Sequence, residues 1–195
     1  MNLVVIKIGG SLMRSDAAAR LLTALVDARG RRLAIVPGGG TFADAVRRAQ
    51  SQHGLSGSAA HHMALLAMDM SAYMLADLSP ALVVARAAAE FQASWSAALT
   101  PIWAPMRMAS VAADIPHSWE MTSDSLAAWL AQQLGATRLV VVKSCAVPEA
   151  RRHDATALAE AGIVDRCFPR FVSDRNFAWQ VVSGAAAALE SLAAT

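Results

Sequence analysis

Leu3-Val4-Val5-Ile6-Lys7-Ile8-Gly9-Gly10-Ser11 decides how this chain is to be read. An apolar run of this kind is a strand buried on both faces, as in a parallel sheet covered by helices. A lysine and then two glycines end it. The pattern recurs at Leu33-Ala34-Ile35-Val36-Pro37-Gly38-Gly39-Gly40-Thr41. Each glycine turn runs into a helical pattern. Such a turn presents unpaired backbone N–H groups and the positive end of a helix dipole, which together favour phosphate. Two of them so close in sequence predict a site for two phosphates, or for one phosphate in transit between two.

Outward from these turns, strands and helices alternate. Residues 2–8, 33–36, 82–84, 101–103, 138–142 and 179–182 read as strands. Residues 16–28 read as a helix with Gly30 as its stop. Further helices are predicted over 41–52, 58–78, 121–134, 155–161 and 185–193, with a helical piece between the third and fourth strands. The helix over 121–134 reads as amphipathic and is followed by Gly135. Segments 145–154 and 166–176 are the least regular. The alternation calls for an α/β fold with a mainly parallel central sheet covered on both faces.

At 195 residues the chain is long enough for a full core, as one domain or as two lobes sharing one sheet. No internal repeat or polar linker divides it. Hydrophobic residues make up 55% and the mean hydropathy is +0.38, much of it alanine in helical segments. The most apolar helical stretch, 58–78, carries Asp69 and Asp77, so no transmembrane helix and no membrane partner are expected. The N-terminal apolar run is too short for a signal peptide. A net charge of +2 with no sustained basic run argues against nucleic acid as a partner. Cys145 and Cys167 form neither a CxxC pair nor a zinc signature with any histidine, and a reduced cytoplasmic setting is expected.

Ligands of open α/β sheets bind outside the carboxyl ends of the strands. Lys7 with Gly9 and Gly10, the turn of Gly38, Gly39 and Gly40, and Lys143 with Ser144 all stand at such ends. Thr122-Ser123-Asp124-Ser125 opens a helix, so all four groups are expected to face one crevice. Neither GxxxxGK[ST] nor GxGxxG is present. Lys7 and Lys143 are the only lysines, against fifteen arginines. A lysine ending a buried strand must reach solvent or an anion, and its point charge suits transferring phosphoryl oxygens. Asp124 is read either as part of a helix cap or as the partner that holds the Lys7 ammonium and helps to place Mg²⁺ indirectly. Asp44 reads as a solvated or dipole-complementing residue. Adjacent His61 and His62 cannot share a helix face, which argues against a paired metal site, though one of them could meet an anion. Met63, Met68, Met70 and Met74 read as core. Trp119 is either core or an aromatic wall of a substrate pocket.

In this order, the two glycine turns, Thr122-Ser123-Asp124-Ser125-Leu126-Ala127-Ala128 and the strand after it resemble the amino acid kinase family, which includes acetylglutamate, aspartate, uridylate and isopentenyl phosphate kinases. The resemblance implies a single domain over 1–195 folded as a three-layer αβα sandwich. Its acceptor-binding part would lie at about 1–120 and its nucleotide-binding part at about 121–195. It implies ATP and Mg²⁺, a small-molecule acceptor and a homo-oligomer. Ala60-His61-His62-Met63-Ala64, Ala67-Met68-Asp69, Ile115-Pro116-His117-Ser118-Trp119-Glu120 and Val164-Asp165 are similar to a branch of the family. That branch converts a furan-bearing phosphomonoester, aminomethylfuranyl-methyl phosphate, to its diphosphate in methanofuran or methylofuran biosynthesis.

By position, the resemblance implies that Lys7 touches the transferring phosphoryl group and that Asp124 organises the lysine. Gly9, Gly10, Ser11, Gly38, Gly39 and Gly40 would cradle phosphate. His61 or His62 would hold the acceptor phosphate. Apart from the resemblance, charge complementarity alone makes Asp69 a candidate partner for a substrate ammonium, and Trp119 remains the candidate pocket wall. Lys143 and Ser144 would meet the nucleotide. The alternatives are an isopentenyl phosphate kinase-like enzyme and a non-catalytic nucleotide- or anion-binding protein on the same fold. The chain departs from the family in having no lysine after Lys143, so either Lys143 or an arginine, Arg166, Arg170 or Arg175, replaces the family's late lysine, or turnover is poor.

Overall fold

The computed structural model describes residues 2–27, 32–173 and 175–193. Gly30, expected to stop the first helix, and Ala28, expected to end it, lie outside the described residues. Six strands form one sheet: β1 (Leu3–Ile8), β2 (Arg32–Pro37), β3 (Leu82–Ala85), β4 (Thr100–Trp103), β5 (Arg138–Lys143) and β6 (Ala178–Ser183). Their order is β3-β4-β2-β1-β5-β6, and every neighbouring pair is parallel. The helices are α1 (Ala17–Asp27), α2 (Gly40–His53), α3 (Gly57–Ala76), α4 (Ala88–Ser96), α5 (Met106–Ala109), α6 (Ser123–Gln133), α7 (Ala155–Glu160), α8 (Phe168–Val172) and α9 (Gly184–Ala193). The result is an α/β fold with helices on both faces of the sheet.

Side chains alternate across a strand, and the two cores divide by that parity. Leu3 and Val5 of β1, with Leu139 and Val141 of β5, pack against Leu126, Ala127 and Leu130 of α6 and Phe168 and Phe171 of α8. Val4, Ile6 and Ile8, with Val140 and Val142, pack against Leu21, Leu22 and Leu25 of α1 and Ala188 and Leu192 of α9. Removing such side chains from water stabilises the fold by roughly 1.5–3 kcal/mol each. The parity also fixes the chemistry: Lys7 follows Val5, and Lys143 follows Val141. Both lysines therefore emerge on the face that carries α6.

Three expectations are corrected. The helix over 121–134 is not amphipathic: every residue from Ser123 to Ala131 of α6 is buried, because the sheet covers one side and α8 the other. Segment 166–176, expected to be irregular, contains α8, whose five residues are too few to show a period in the sequence. Met68 is core, whereas Met70 and Met74 stand half-exposed on the outer face of α3. No helix among the described residues is long and apolar enough to cross a membrane.

Candidate active site

The two glycine turns touch. Gly9 N donates to Val142 O at 3.0 Å and Gly38 N donates to Ile8 O at 2.9 Å, which ties both turns to the ends of the central strands. A Cβ on Gly10 would lie 2.6 Å from Gly40 N, and one on Gly38 would lie 2.5 Å from Gly10 N. Only residues without a side chain let the two backbones come this close. Gly39 caps α2 without any side-chain bond to its first N–H groups, leaving them for a ligand. The hydroxyls of Ser11 and Ser144 meet at 2.6 Å, joining the first turn to the end of β5.

One buried carboxylate holds both lysines of the chain. Asp124 Oδ1 lies 2.7 Å from Lys7 Nζ, and Asp124 Oδ2 lies 2.9 Å from Lys143 Nζ. Lys7 and Asp124 are nearly sealed from water, while Lys143 keeps 17% of its side chain exposed. Burial pushes the Asp124 carboxyl upward, but the ammoniums of Lys7 and Lys143 outweigh it and hold the pKa below its ordinary value. Burial draws the Lys7 ammonium below its ordinary value; Asp124 opposes this, and the charge of Lys143 adds to it. Two cations thus share one carboxylate at the carboxyl end of the sheet.

Asp124 is held in place by a residue that the sequence reading did not select. Asp165, on the loop before α8, caps α6 from outside. Its Oδ2 accepts from Thr122 N and Thr122 Oγ1 at 2.9 Å each and from Ser125 N at 3.0 Å, and its Oδ1 accepts from Ser125 Oγ. These bonds satisfy two backbone donors at the helix start, Thr122 N and Ser125 N. Burial raises the Asp165 pKa, Asp124 raises it further, and the bonds from Ser125 and Thr122 work the other way.

Two cavities flank the segment that leads into α6. The first, about 260 Å³, is lined by Gly10, Ser11, Gly38, Gly39 and Gly40 at one end, and by His61, Leu65, Met68 and Trp119 along its walls. Arg14, Asp44 and Arg47 also line it. The second, about 580 Å³, is lined by Asp124, Lys143, Gly162, Asp165 and Arg166. Trp119 and Thr122 border both.

The structure thus brings together Lys7, Asp124, Lys143, Ser144, both glycine turns, His61 and Trp119. His61 is buried, with no hydrogen-bond partner for Nε2 among the described residues. Burial, and then its neighbours His117 and His62, lower its pKa to about 4, so it stands neutral. His62 turns away: its Nδ1–H donates to Ser58 O at 2.8 Å, and it does not line the first cavity. Trp119 fills both of its readings, packing against the cluster around Val46 and walling the cavity, with the Arg47 guanidinium 3.7 Å from its ring centroid. Asp69 does not join the site. Its Oδ1 accepts from Met106 N at 3.0 Å at the start of α5, a pairing across 37 residues that local sequence does not reveal. Asp44, read as a solvated residue, lines the cavity and pairs with Arg14. The parity of Val5 with Lys7 and of Val141 with Lys143 would have placed both lysines on one face from sequence alone.

A second Asp124 role, placing Mg²⁺ indirectly, finds no support. Both its oxygens are engaged by lysines, as both Asp165 oxygens are by α6. Among the described residues no group of three or more His, Cys, Asp or Glu side chains is arranged to hold a metal ion. The residues present do not build a Mg²⁺ site of their own.

The chain is similar to proteins already named or solved. An archaeal relative from Methanocaldococcus jannaschii, named (5-(aminomethyl)furan-3-yl)methyl phosphate kinase, is 27% identical over 140 residues, covering 70% of this chain. The match spans 63% of that relative's length. The uridylate kinase of Archaeoglobus fulgidus superposes with a TM-score of 0.72 over 99% of this chain and 96% of its own, at 17% identity. The UMP kinase of Ureaplasma parvum gives 0.71 over 97% and 95%, at 15% identity. These two share the fold. The model of the amino acid kinase family matches residues 2–146, which hold both glycine turns, Lys7, Asp124 and Lys143, and the chain belongs to that family.

Proposed function

We propose that this protein is a phosphotransferase that moves the γ-phosphoryl group of ATP onto a small phosphomonoester, giving a diphosphate and ADP. The observation that carries the reading is the carboxylate of Asp124 holding Lys7 and Lys143, at 2.7 and 2.9 Å, with Lys7 beside the first glycine turn and Asp124 and Lys143 lining the second cavity. The acceptor phosphate suits the first cavity, where the N–H groups of the second glycine turn and the neutral His61 ring face it. ATP suits the second, beside Lys143 and Ser144.

In this arrangement an oxygen of the acceptor phosphate attacks the γ-phosphorus, and the β–γ bridging bond breaks with its electron pair leaving on ADP. A dianionic acceptor has no proton to lose, so no general base is required. The protein's task is to hold the two phosphates in line and to neutralise charge. Lys7, fixed by Asp124 and stripped of water, supplies its charge to the γ-phosphoryl oxygens, where a desolvated cation acts most strongly. Lys143, partly exposed on the nucleotide side, takes the place of the family's late lysine and meets charge developing on the ADP side. Of the arginines, Arg170 lies over Phe171 and Arg175 Nε donates to Phe171 O, whereas Arg166 lines the second cavity 3.6 Å from Glu120 but does not share the Asp124 carboxylate as Lys143 does. Mg²⁺ would arrive coordinated by the nucleotide's own phosphates.

The name of the archaeal relative, at 27% identity, supports aminomethylfuranyl-methyl phosphate as the acceptor, hence a place in methylofuran or methanofuran biosynthesis. Free Cys145 and Cys167 suit a reducing, cytoplasmic setting. On the outer face of α3, Leu66, Met70, Tyr73 and Met74 form an exposed apolar stripe that Leu78 extends, which fits a second copy of this chain. The test of the activity is ADP formation with aminomethylfuranyl-methyl phosphate, isopentenyl phosphate and UMP at saturating Mg-ATP. Turnover with one of them, lost in Lys7→Ala, supports the reading; nucleotide binding without turnover of any acceptor overturns it.

A further inference from the structure

We propose that Asp44 selects the acceptor by charge: its carboxylate binds an ammonium at the end of the phosphomonoester far from the phosphate. The inference rests on the reading that the glycine-lined cavity takes a phosphomonoester. Asp44 is the one carboxylate among the described residues that line this cavity. Its Oδ2 is taken by Arg14 Nη2, and its Oδ1 has no hydrogen-bond partner among the described residues. An ammonium on Oδ1 would make Asp44 a bridge between two cations, as Asp124 is between Lys7 and Lys143.

Asp44 stands four residues along α2 from Gly40, one helical turn beyond the anion-binding turn, and both line the same cavity. The walls between are Ala64, Leu65, Met68 and the indole of Trp119, apolar surfaces suited to a flat ring. The remaining charged lining residues, Arg14 and Arg47, are cationic, so Asp44 is the anionic group that the described lining offers an amine. Asp69, the other acidic candidate, does not line this cavity.

The experiment compares two acceptors, aminomethylfuranyl-methyl phosphate and its analogue with a hydroxyl in place of the amine, in the wild type, Asp44→Asn and Arg14→Gln. The wild type is expected to prefer the amine. In Asp44→Asn the amine-to-hydroxyl ratio of kcat/KM should fall about tenfold, the worth of one charge-assisted contact. Arg14→Gln should keep the preference, because it leaves the carboxylate in place. Equal kcat/KM for both acceptors in the wild type, or a ratio that does not change in Asp44→Asn, overturns the inference while the kinase reading stands. No ADP formation with either furan acceptor, while isopentenyl phosphate or UMP is turned over, overturns the inference alone; no turnover of any of these acceptors overturns both.

Discussion

Lys7 Nζ stands 2.7 Å from Asp124 Oδ1, and neither side chain exposes more than 4% of its surface. The pair is unequal in its dependence. Lys7 is held by Asp124 alone, but Asp124 is also held by Lys143. Removing Lys7 therefore leaves a paired carboxylate, whereas removing Asp124 leaves two neighbouring ammoniums, one of them buried. Breaking a buried pair by deleting one partner costs about 3–5 kcal/mol when the survivor is uncompensated. Urea denaturation should show Asp124→Ala at that end of the range and Lys7→Met well below it. Equal losses would mean that Lys143 does not compensate.

The charge on Lys7 sets the alkaline limit of activity. Burial draws its pKa below the ordinary 10.5. As pH rises through that lowered value the ammonium is lost, so kcat should decline with an apparent pKa below 10.5. A rate that is flat to pH 10.5 would contradict the role given to Lys7.

Asp165 holds α6 rather than the substrate. Asp165→Ala removes the acceptor for Thr122 N and Ser125 N, at about 1–2 kcal/mol for a lost cap. Because Asp124 lies in that same turn, kcat should fall as well, with the KM for ATP changing less. A loss of stability with kcat intact would show that the cap does not position Asp124.

Gly10 and Gly54 make a matched pair. A Cβ on Gly10 meets Gly40 N at 2.6 Å, whereas one on Gly54 meets nothing within 4 Å despite its positive φ. Gly10→Ala should abolish turnover by forcing the two turns apart. Gly54→Ala should cost about 1–2 kcal/mol of strain with activity retained. Comparable activities for the two variants would contradict the close approach of the turns.

His61 makes stability sensitive to mild acid. Its pKa is about 4 in the fold against 6.5 for an exposed histidine. Its folded pKa is the lower, so protons bind the unfolded chain first as pH falls. Stability should drop from pH 6.5 to about 4, by roughly 3 kcal/mol at most, and then stop changing on this account. Asp124, whose pKa is depressed below 3.8, contributes its loss only below that window. His61→Gln should flatten the slope between the two values. An unchanged slope would mean that His61 is free to protonate in the fold.

The stripe on α3 predicts assembly. Met70 is 51% exposed in the single chain. Light scattering should report a dimer or larger for the wild type and a monomer for Met70→Glu. A monomeric wild type would remove the stripe as an interface.

The sheet, its parallel order and the place of the glycine turns were legible because strand ends carry local signals: an apolar run, a lysine, then glycine. Asp124 was legible as a candidate from its place at a helix start, although not as the partner of two lysines. Asp165 was not legible, because a cap supplied from about forty residues away leaves no local mark. Asp69 was misassigned for the same reason, since its partner is a backbone N–H on another helix. Asp44 was discounted because a helix position gives no sign of the cavity formed when the loop carrying Trp119 folds over α2 and α3.

The central claim is phosphoryl transfer between two bound phosphates with Lys7 at the reacting group. Phosphorus NMR of the protein with Mg-ATP and aminomethylfuranyl-methyl phosphate tests it most directly. The account predicts loss of the acceptor monoester signal and growth of coupled diphosphate resonances in step with ADP, slowed ~10²–10³-fold in Lys7→Ala. Release of inorganic phosphate without a diphosphate product, or equal rates in the wild type and Lys7→Ala, would contradict it.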